Sequence, residues 1–330
     1  MRFSIIIPVY NRPEELDELL QSIHVQDKKR KTEIIVVEDG SEKSSSSIVA
    51  KYDDLLNIKY CFKKKSGPGD SRNYGMQRAS GDYFILLDSD CILPDNYLSI
   101  VNSALEENYV DAYGGPDTAH ASFTNWQKAI NYSMTSFLTT GGLRSEESSG
   151  KKFQLRSFNM GVSKKAFLVT GGFAKQRIGE DIDLNFKLIE KGCTTRLIRE
   201  AFVFHKRRTS PRDFFKQTRN FGAARPILNK MHPGSAKLSY WLPSFFVLGM
   251  LSSFVIWYFG SLLGILVYAL YFLAVAIDSY IKNQKLGIAL SSILATFIQF
   301  LGYGTGYLRS VYRLYFQRKG TKEAFPGMFA

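Results

Sequence analysis

From Leu238 to Ile277 the chain runs forty residues without an Asp, Glu, Lys or Arg, and nearly every residue from Trp241 onward is apolar. At about 1.5 Å per helical residue such a run measures roughly 60 Å, twice the hydrocarbon core of a bilayer at about 30 Å. Two helical passes therefore account for it. Gly260-Ser261 lies near its middle, where a tight turn falls, and Trp241, Trp257, Tyr258, Tyr268 and Tyr271 offer rings suited to the membrane-water boundary. A hairpin buried in a soluble domain is the competing explanation, but soluble folds rarely sustain so long an apolar run.

A second uncharged stretch spans 286–308, but Ser291, Ser292, Thr296 and Gln299 interrupt it and its end is spaced by glycines. The first residues, MRFSIIIPVYN, form too short an apolar run for a secretory signal and Pro8 breaks it, so the N-terminal part is expected in the cytoplasm. With two passes in 238–277, a third pass over 286–308 would carry the basic tail 309–330, with Arg309, Arg313, Arg318, Lys319 and Lys322, to the outside, against the positive-inside tendency. A re-entrant or interfacial segment keeps those charges inside. Both arrangements stay open at this point. The expectation is a multi-pass protein of the inner (plasma) membrane with a cytoplasmic domain ahead of its membrane segments.

The rest of the chain has the makings of a packed α/β domain. Residues 3–9 (FSIIIPV), 33–37 (EIIVV) and 83–87 (YFILL) are short, continuous apolar runs, as in strands buried on both faces. Pro13 followed by Glu14 and Glu15, with Leu16, Leu19 and Leu20 at helical spacing, predicts a helix directly after the first strand. Strand-turn-helix units of this kind build a mostly parallel αβα sandwich, whose ligands bind at the carboxyl ends of the strands. Three polar tips should then converge: Val9 to Arg12, Glu38 to Ser41, and Asp88 to Asp90.

Those tips are acidic although the chain as a whole is basic, with 43 Lys and Arg against 30 Asp and Glu. The excess calls for an anionic partner: nucleic acid, a phosphate-bearing small molecule or an acidic lipid surface. Asp88 and Asp90 flank Ser89 at the end of a buried strand, and two carboxylates so placed suit Mg²⁺ or Mn²⁺. Glu180 and Asp181 open an amphipathic helix. There they either favour the helix N-terminus electrostatically or supply a general base for an acceptor hydroxyl. His205 follows the strand-like run AFVF and is either a structural histidine or a metal ligand. Cys61, Cys91 and Cys193 are too scattered for a zinc site or a disulfide framework, which suits a reducing compartment.

Six stretches in this order resemble the family 2 glycosyltransferases of GT-A fold, many of which are bacterial and membrane-anchored. They are SIIIPVYNRPEEL at 4–16, EIIVVEDGS at 33–41, GPGDSRNYGMQRASGDYFILLDSDCILPD at 67–95, FNMGVSKKAFLVTGGF at 158–173, GEDIDLNFKLIEKG at 179–192 and FVFHKRRTSPRDFFKQ at 202–217. The resemblance implies a GT-A-like αβα sandwich with a mostly parallel central sheet, followed by C-terminal transmembrane helices. It implies a catalytic domain over 1–230, a membrane domain over 238–308 and a basic tail over 309–330. Position by position, Pro8, Tyr10, Asn11 and Arg12 would line the nucleotide pocket, Asp39 would contact the base and Arg72 would lie near the nucleotide. Asp90 would be the principal ligand of a divalent metal ion (Mn²⁺ or Mg²⁺), completed by His205, with Asp88 nearer the ribose or sugar. Asp181 would be the catalytic base, supported by Glu180.

The implied function is inverting, metal-dependent transfer of a sugar from a nucleoside-diphosphate sugar to a membrane-associated, polyprenyl-linked glycan acceptor in surface polysaccharide synthesis, the partner being a lipid-linked or glycan acceptor. Gln217-Thr218-Arg219-Asn220-Phe221 lacks the Gln-x-x-Arg-Trp spacing of processive members, which favours single addition. The stretch 205–230 interleaves basic residues with Phe214, Phe215 and Phe221, as expected of a segment lying on an anionic membrane surface. No nucleic-acid motif is present, and attraction to such a surface explains the charge. A nucleotidyltransferase of related fold and a membrane-tethered adaptor are the competing readings.

Overall fold

The computed structural model describes residues 1–27, 31–141 and 154–329. Among them the chain forms two compact units, one of residues 1–120, 154–206 and 328–329, the other of residues 121–141 and 207–327. Lys206 closes the first unit, so the Pro211–Met231 helix belongs to the second.

In the first unit, β1 (Phe3–Val9), β2 (Glu33–Asp39), β3 (Asn57–Lys63) and β4 (Tyr83–Leu87) run parallel in the order β3-β2-β1-β4. Three strands extend the sheet beyond β4: β8 (Asn159–Ser163), then β6 (Ala112–Gly114), then β9 (Thr195–Leu197). Strand β8 is antiparallel to both β4 and β6. A small second sheet sets β10 (Val203–His205) between β5 (Cys91–Ile92) and β7 (Asp117–Thr118).

The continuous apolar runs are explained by cover on both faces. Ile5 and Ile7 pack with Leu16, Leu19, Leu20 and Ile23 of the Pro13–Gln26 helix, whereas Ile6 packs with Val37 and Met76 on the other side. Pro8 lies beyond the last β1–β4 pair, Ile6 with Leu86, where a missing N–H is tolerated.

The added strands are held by a buried polar knot. Asn159 accepts a hydrogen bond from Tyr97 Oη at 2.7 Å, and its Nδ2 donates to the carbonyls of Ala201 (2.7 Å) and Pro116 (3.3 Å). The Tyr113 ring stacks on Tyr83 at 6.1 Å and lies against Gly161, where an added Cβ would meet the ring at 2.0 Å.

In the second unit the forty-residue run forms two helices, Leu242–Tyr258 and Leu263–Asn283, with Gly260 at φ +95° in the turn between them. The 286–308 stretch falls in one continuous helix, Leu286–Val311, which passes into a π-helical turn at Tyr312–Phe316. Among the described residues, three helices are thus long and apolar enough to cross a membrane. Their surroundings differ. The first two show most of their surface, while the third is more deeply covered. Its cover includes the Pro211–Met231 helix: Cβ atoms on Gly222, Gly302 and Gly306 would lie 2.0 to 2.1 Å from atoms of the facing helix. Such backbone approach is the packing that small residues permit. Ser310 Oγ fastens it by donating to the Ala223 carbonyl at 2.8 Å.

Gly161→Ala should force the Tyr113 ring out of its stack and cost about 1–3 kcal/mol of stability. A fall of several degrees in the thermal midpoint of the purified chain is the expected result, and an unchanged midpoint would count against the close packing.

Candidate functional site

The carboxyl ends of β2, β1 and β4 lie side by side because the strands do. At the β1 tip Asn11 adopts φ +55°, a conformation its short polar side chain tolerates. Its Oδ1 accepts the N–H groups of Glu42 (2.8 Å) and Lys43 (3.1 Å), and its own N–H donates to Ser41 Oγ at 2.8 Å. Glu38, fully buried, accepts the Ser45 N–H at 2.7 Å and the Ser41 hydroxyl. These two residues fasten the loop after β2 to the β1 tip. Asp39 holds a different loop, accepting from Lys63 Nζ (2.9 Å) and from the N–H groups of Ser66 (2.9 Å) and Gly67 (2.8 Å). Tyr10 is exposed, with the Lys65 ammonium 3.9 Å over its ring, and Pro8 is half-buried.

A buried arginine links the β4 tip to the acidic helix. Arg72, on the Pro68–Arg78 helix, pairs with Asp88 and with Glu180 Oε1 at 3.2 Å, its guanidinium 5.3 Å over the Phe173 ring. Gly69 lets the Glu180–Glu190 helix come close: an added Cβ would lie 3.3 Å from Glu180 Cγ. Burial, reinforced by the charge of Asp181 and opposed by that of Arg72, pushes the Glu180 carboxyl up to about 7. The neighbouring Asp181 is half-buried, with Oδ2 3.5 Å from Arg156 and Oδ1 accepting the Ile182 N–H at 2.8 Å.

Asp90 forms the other focus. It is only 7% exposed, pairs with Arg12 and lies 3.2 Å from Nε2 of His205. Burial alone would raise this carboxyl, but His205 and Arg12 outweigh it and hold it well below the ordinary range. Nδ1 of His205 lies 3.4 Å from Asp117 Oδ2, and the ring stacks on Phe158 at 4.8 Å. A ligand atom from each of Asp90, Cys91 and His205 falls within 4.8 Å of the others. The Cys91 thiol is pushed up strongly by burial and donates to the Phe158 carbonyl at 3.5 Å, so it is a poor thiolate ligand. Asp90 Oδ1 is buried without a well-aligned hydrogen bond. A carboxylate with an unsatisfied oxygen beside an imidazole held by a second carboxylate fits a hard divalent ion.

Of the residues singled out in the sequence, Arg12, Asp90 and His205 meet directly, as do Asp88, Arg72 and Glu180, with Asp181 adjoining. Asn11 and Glu38 instead hold the loop after β2, and Asp39 the loop after β3. Sequence reasoning missed Asp117, Phe158, Arg156 and Lys63. Asp117 ends GGPD after a three-residue strand too short to register as one, and nothing in the spacing pairs it with a histidine 88 positions later.

Residues 4–168 match the family model for glycosyl transferase family 2, and the chain belongs to that family. It is 34% identical over 114 residues to the poly(ribitol-phosphate) beta-N-acetylglucosaminyltransferase TarS of Staphylococcus aureus strain Mu50, a match covering 34% of this chain and 20% of TarS. The chain thus spans about a fifth of that relative's length. It is 29% identical over 232 residues to the GalNAc(5)-diNAcBac-PP-undecaprenol beta-1,3-glucosyltransferase of Campylobacter jejuni, covering 68% of this chain and 69% of that one. Among solved structures, the mannosyltransferase PcManGT of Pyrobaculum calidifontis, in complex with GDP-Man and Mn²⁺, has a TM-score of 0.60 at 14% identity and covers 93% of this chain and 87% of that one. The shared fold is GT-A.

The Arg72–Glu180 pair makes stability depend on pH in a defined direction. With its folded value raised from 4.5 to about 7, Glu180 favours the fold below that window and loses its contribution as pH rises through it. Arg72→Met removes the counter-charge and raises Glu180 further. The gap in thermal midpoint between Arg72→Met and wild type should therefore be constant at low pH and widen as pH rises through about 7. A gap independent of pH would show that Glu180 is not the group Arg72 holds.

Proposed function

We propose that this protein is an inverting glycosyltransferase that moves a sugar from a nucleoside-diphosphate sugar to an acceptor hydroxyl at a membrane surface. The observation that carries the reading is the meeting of Asp88, Arg72 and Glu180 beside Asp181, with Asp90, Arg12 and His205 gathered at the same strand ends. Family membership favours attack at a sugar carbon over attack at phosphorus, and so over nucleotidyl transfer.

Asp181 takes the proton from the acceptor hydroxyl as that oxygen attacks the anomeric carbon from the face opposite the leaving group. Arg156, 3.5 Å away, orients Asp181. Glu180 is held by Arg72 and fixes the helix start on which Asp181 stands. One displacement inverts the centre, so no covalent sugar-enzyme intermediate forms, in contrast to retaining hydrolysis. Asp90 and His205 would hold a Mn²⁺ or Mg²⁺ ion, which would neutralise the charge growing on the diphosphate as it leaves. Asp117 orients His205 from behind. Arg72, with its Nε buried and unpaired, faces the nucleotide alongside Asp88, which takes the ribose or sugar. Pro8, Tyr10, Asn11 and Arg12 form the nucleotide pocket, Asn11 by shaping the loop it fastens, and Asp39 addresses the base.

The membrane placement rests on the path of the chain. The first unit contains both Lys206, where the chain leaves it, and Met328, whose carbonyl accepts the Arg177 N–H at 2.7 Å. A chain that departs from and returns to one side crosses an even number of times. The Leu242–Tyr258 and Leu263–Asn283 helices then cross, and the Leu286–Val311 helix lies along the surface beside the Pro211–Met231 helix, which keeps the basic tail in the cytoplasm. A lipid-linked glycan is the acceptor that suits this placement, and the Campylobacter relative, a glucosyltransferase named for an undecaprenol-linked glycan, supports it. A role in surface polysaccharide synthesis follows from such an acceptor. The positive charge serves the anionic membrane surface, and nucleic acid is not a partner.

Asp181→Asn should reduce release of nucleoside diphosphate in the presence of acceptor by about 10²-fold or more while donor still raises the thermal midpoint. Asp90→Ala should abolish the Mn²⁺-dependent part of that donor shift as well as turnover. Wild-type turnover in either variant contradicts its role. For the topology, Lys319→Cys in a cysteine-free background should react with an impermeant maleimide in inverted vesicles only, and Gly260→Cys in intact cells only. Labelling of Lys319→Cys from outside would mean three crossings.

A further inference from the structure

We propose that Arg219, Arg309 and Arg313 form a binding site for the phosphate headgroup of an anionic phospholipid. The inference rests on the membrane placement given above and is independent of the transfer chemistry.

The Pro211–Met231 and Leu286–Val311 helices touch so closely that a Cβ on Gly306 would lie 2.1 Å from the Arg219 carbonyl oxygen. Arg309 follows Gly306 by three residues and Arg313 follows Arg309 by four, so both emerge on the turns next to Arg219. The charges of Arg313 and Arg219 both act on Arg309. Among the described residues, no carboxylate lies within ion-pair distance of any of the three. Lys216, one turn before Arg219, is different, facing Asp213 at 3.7 Å.

Cations near a helix C-terminus are favoured in their own right, which would account for Arg309 and Arg313. It does not account for Arg219, which lies in the middle of its helix. The glycine contact fixes the two backbones and so holds three like charges together, a repulsion that a bound anion reverses. Guanidinium groups present paired N–H donors that match phosphate oxygens. Arg313 is already oriented: it donates to the Ala324 carbonyl at 2.6 Å and lies 5.5 Å over the Phe325 ring.

The neighbouring side chains select a lipid over a free ion. Tyr312, Tyr315 and Phe316 follow on the same helix end and are 57%, 53% and 75% exposed. Tyr312 and Phe316 stack at 6.2 Å within the π-helical turn. Exposed aromatic rings beside arginines fit the headgroup level of a bilayer, where the ring meets the acyl boundary and the guanidinium meets phosphate. A soluble phosphate would gain nothing from them.

The full chain, purified in a non-ionic detergent, is titrated with phosphatidylglycerol, phosphatidylcholine or inorganic phosphate while its thermal midpoint is followed. Phosphatidylglycerol should raise the midpoint and the other two should not. The double variant Arg219→Gln/Arg309→Gln should bind phosphatidylglycerol about thirtyfold more weakly, and Arg309→Gln alone about fivefold. Lys216→Gln should bind as wild type does. Unchanged affinity in the double variant, or an equal loss in Lys216→Gln, overturns the site, and an equal shift from inorganic phosphate overturns the lipid assignment. Resistance to alkaline carbonate extraction, carried by the apolar hairpin, should persist in every variant; its absence in wild type would instead remove the membrane placement on which the site depends.

Discussion

A carboxylate buried at the end of a strand must be balanced by positive charge, and Asp90 is balanced by groups from two distant parts of the chain. Arg12 comes from the turn after β1 and His205 from the end of β10, 115 residues beyond the aspartate. Without them the desolvation cost would neutralise Asp90 by protonation, and the site would lose its strongest anion. The small sheet gains its meaning here. By pairing β10 with β5 on one side and β7 on the other, it brings His205 to Asp90 and Asp117 to His205. Strands two and three residues long contribute little packing. What they fix is the position of an imidazole.

Three strands of the parallel half were legible because they are covered on both faces and so read as unbroken apolar runs, unlike the half-exposed edge strand β3. FSIIIPV, EIIVV and YFILL became β1, β2 and β4, and their polar tips became neighbours. The antiparallel insertion was not legible in the same way. Strand β8 is the short sequence NMGVS, whose buried asparagine and glycine contradict β propensity and make sense only as tertiary contacts: the asparagine binds two carbonyls and a tyrosine, and the glycine makes room for the Tyr113 ring. Asp117 and Arg156 escaped notice for a related reason. Each acts through a partner far away in sequence, and a lone acid or arginine in a loop gives no sign of that partner.

Motif position also says less about the direction of a side chain than about its location. Asn11 and Glu38 lie at the expected strand tips, but their oxygens serve backbone N–H groups of the next loop. Asp39, adjacent to Glu38, points to the opposite side, as alternation along a strand requires, and gathers Lys63 with the start of the Pro68–Arg78 helix. The two consecutive acids therefore organise two separate walls. A pocket placed between those walls would owe its shape to both residues, whichever of them touches a ligand.

For the membrane segments, charge spacing located the hairpin and its turn, since forty uncharged residues admit few folds. Composition could not distinguish a crossing helix from one lying along the surface, because both are apolar and long. Neighbours make the difference. Leu263–Asn283 leaves most of its surface uncovered, as a crossing helix can, whereas Leu286–Val311 spends one face on protein through glycines at 302 and 306. That face is spaced for contact with another backbone, and its partner, the Pro211–Met231 helix, carries Arg212, Lys216, Arg219 and Arg225 along its length. A helix committed at such close range to so charged a partner cannot enter the hydrocarbon core without drawing those charges in with it. The glycine contact and the basic partner are thus the features on which the proposed surface position rests.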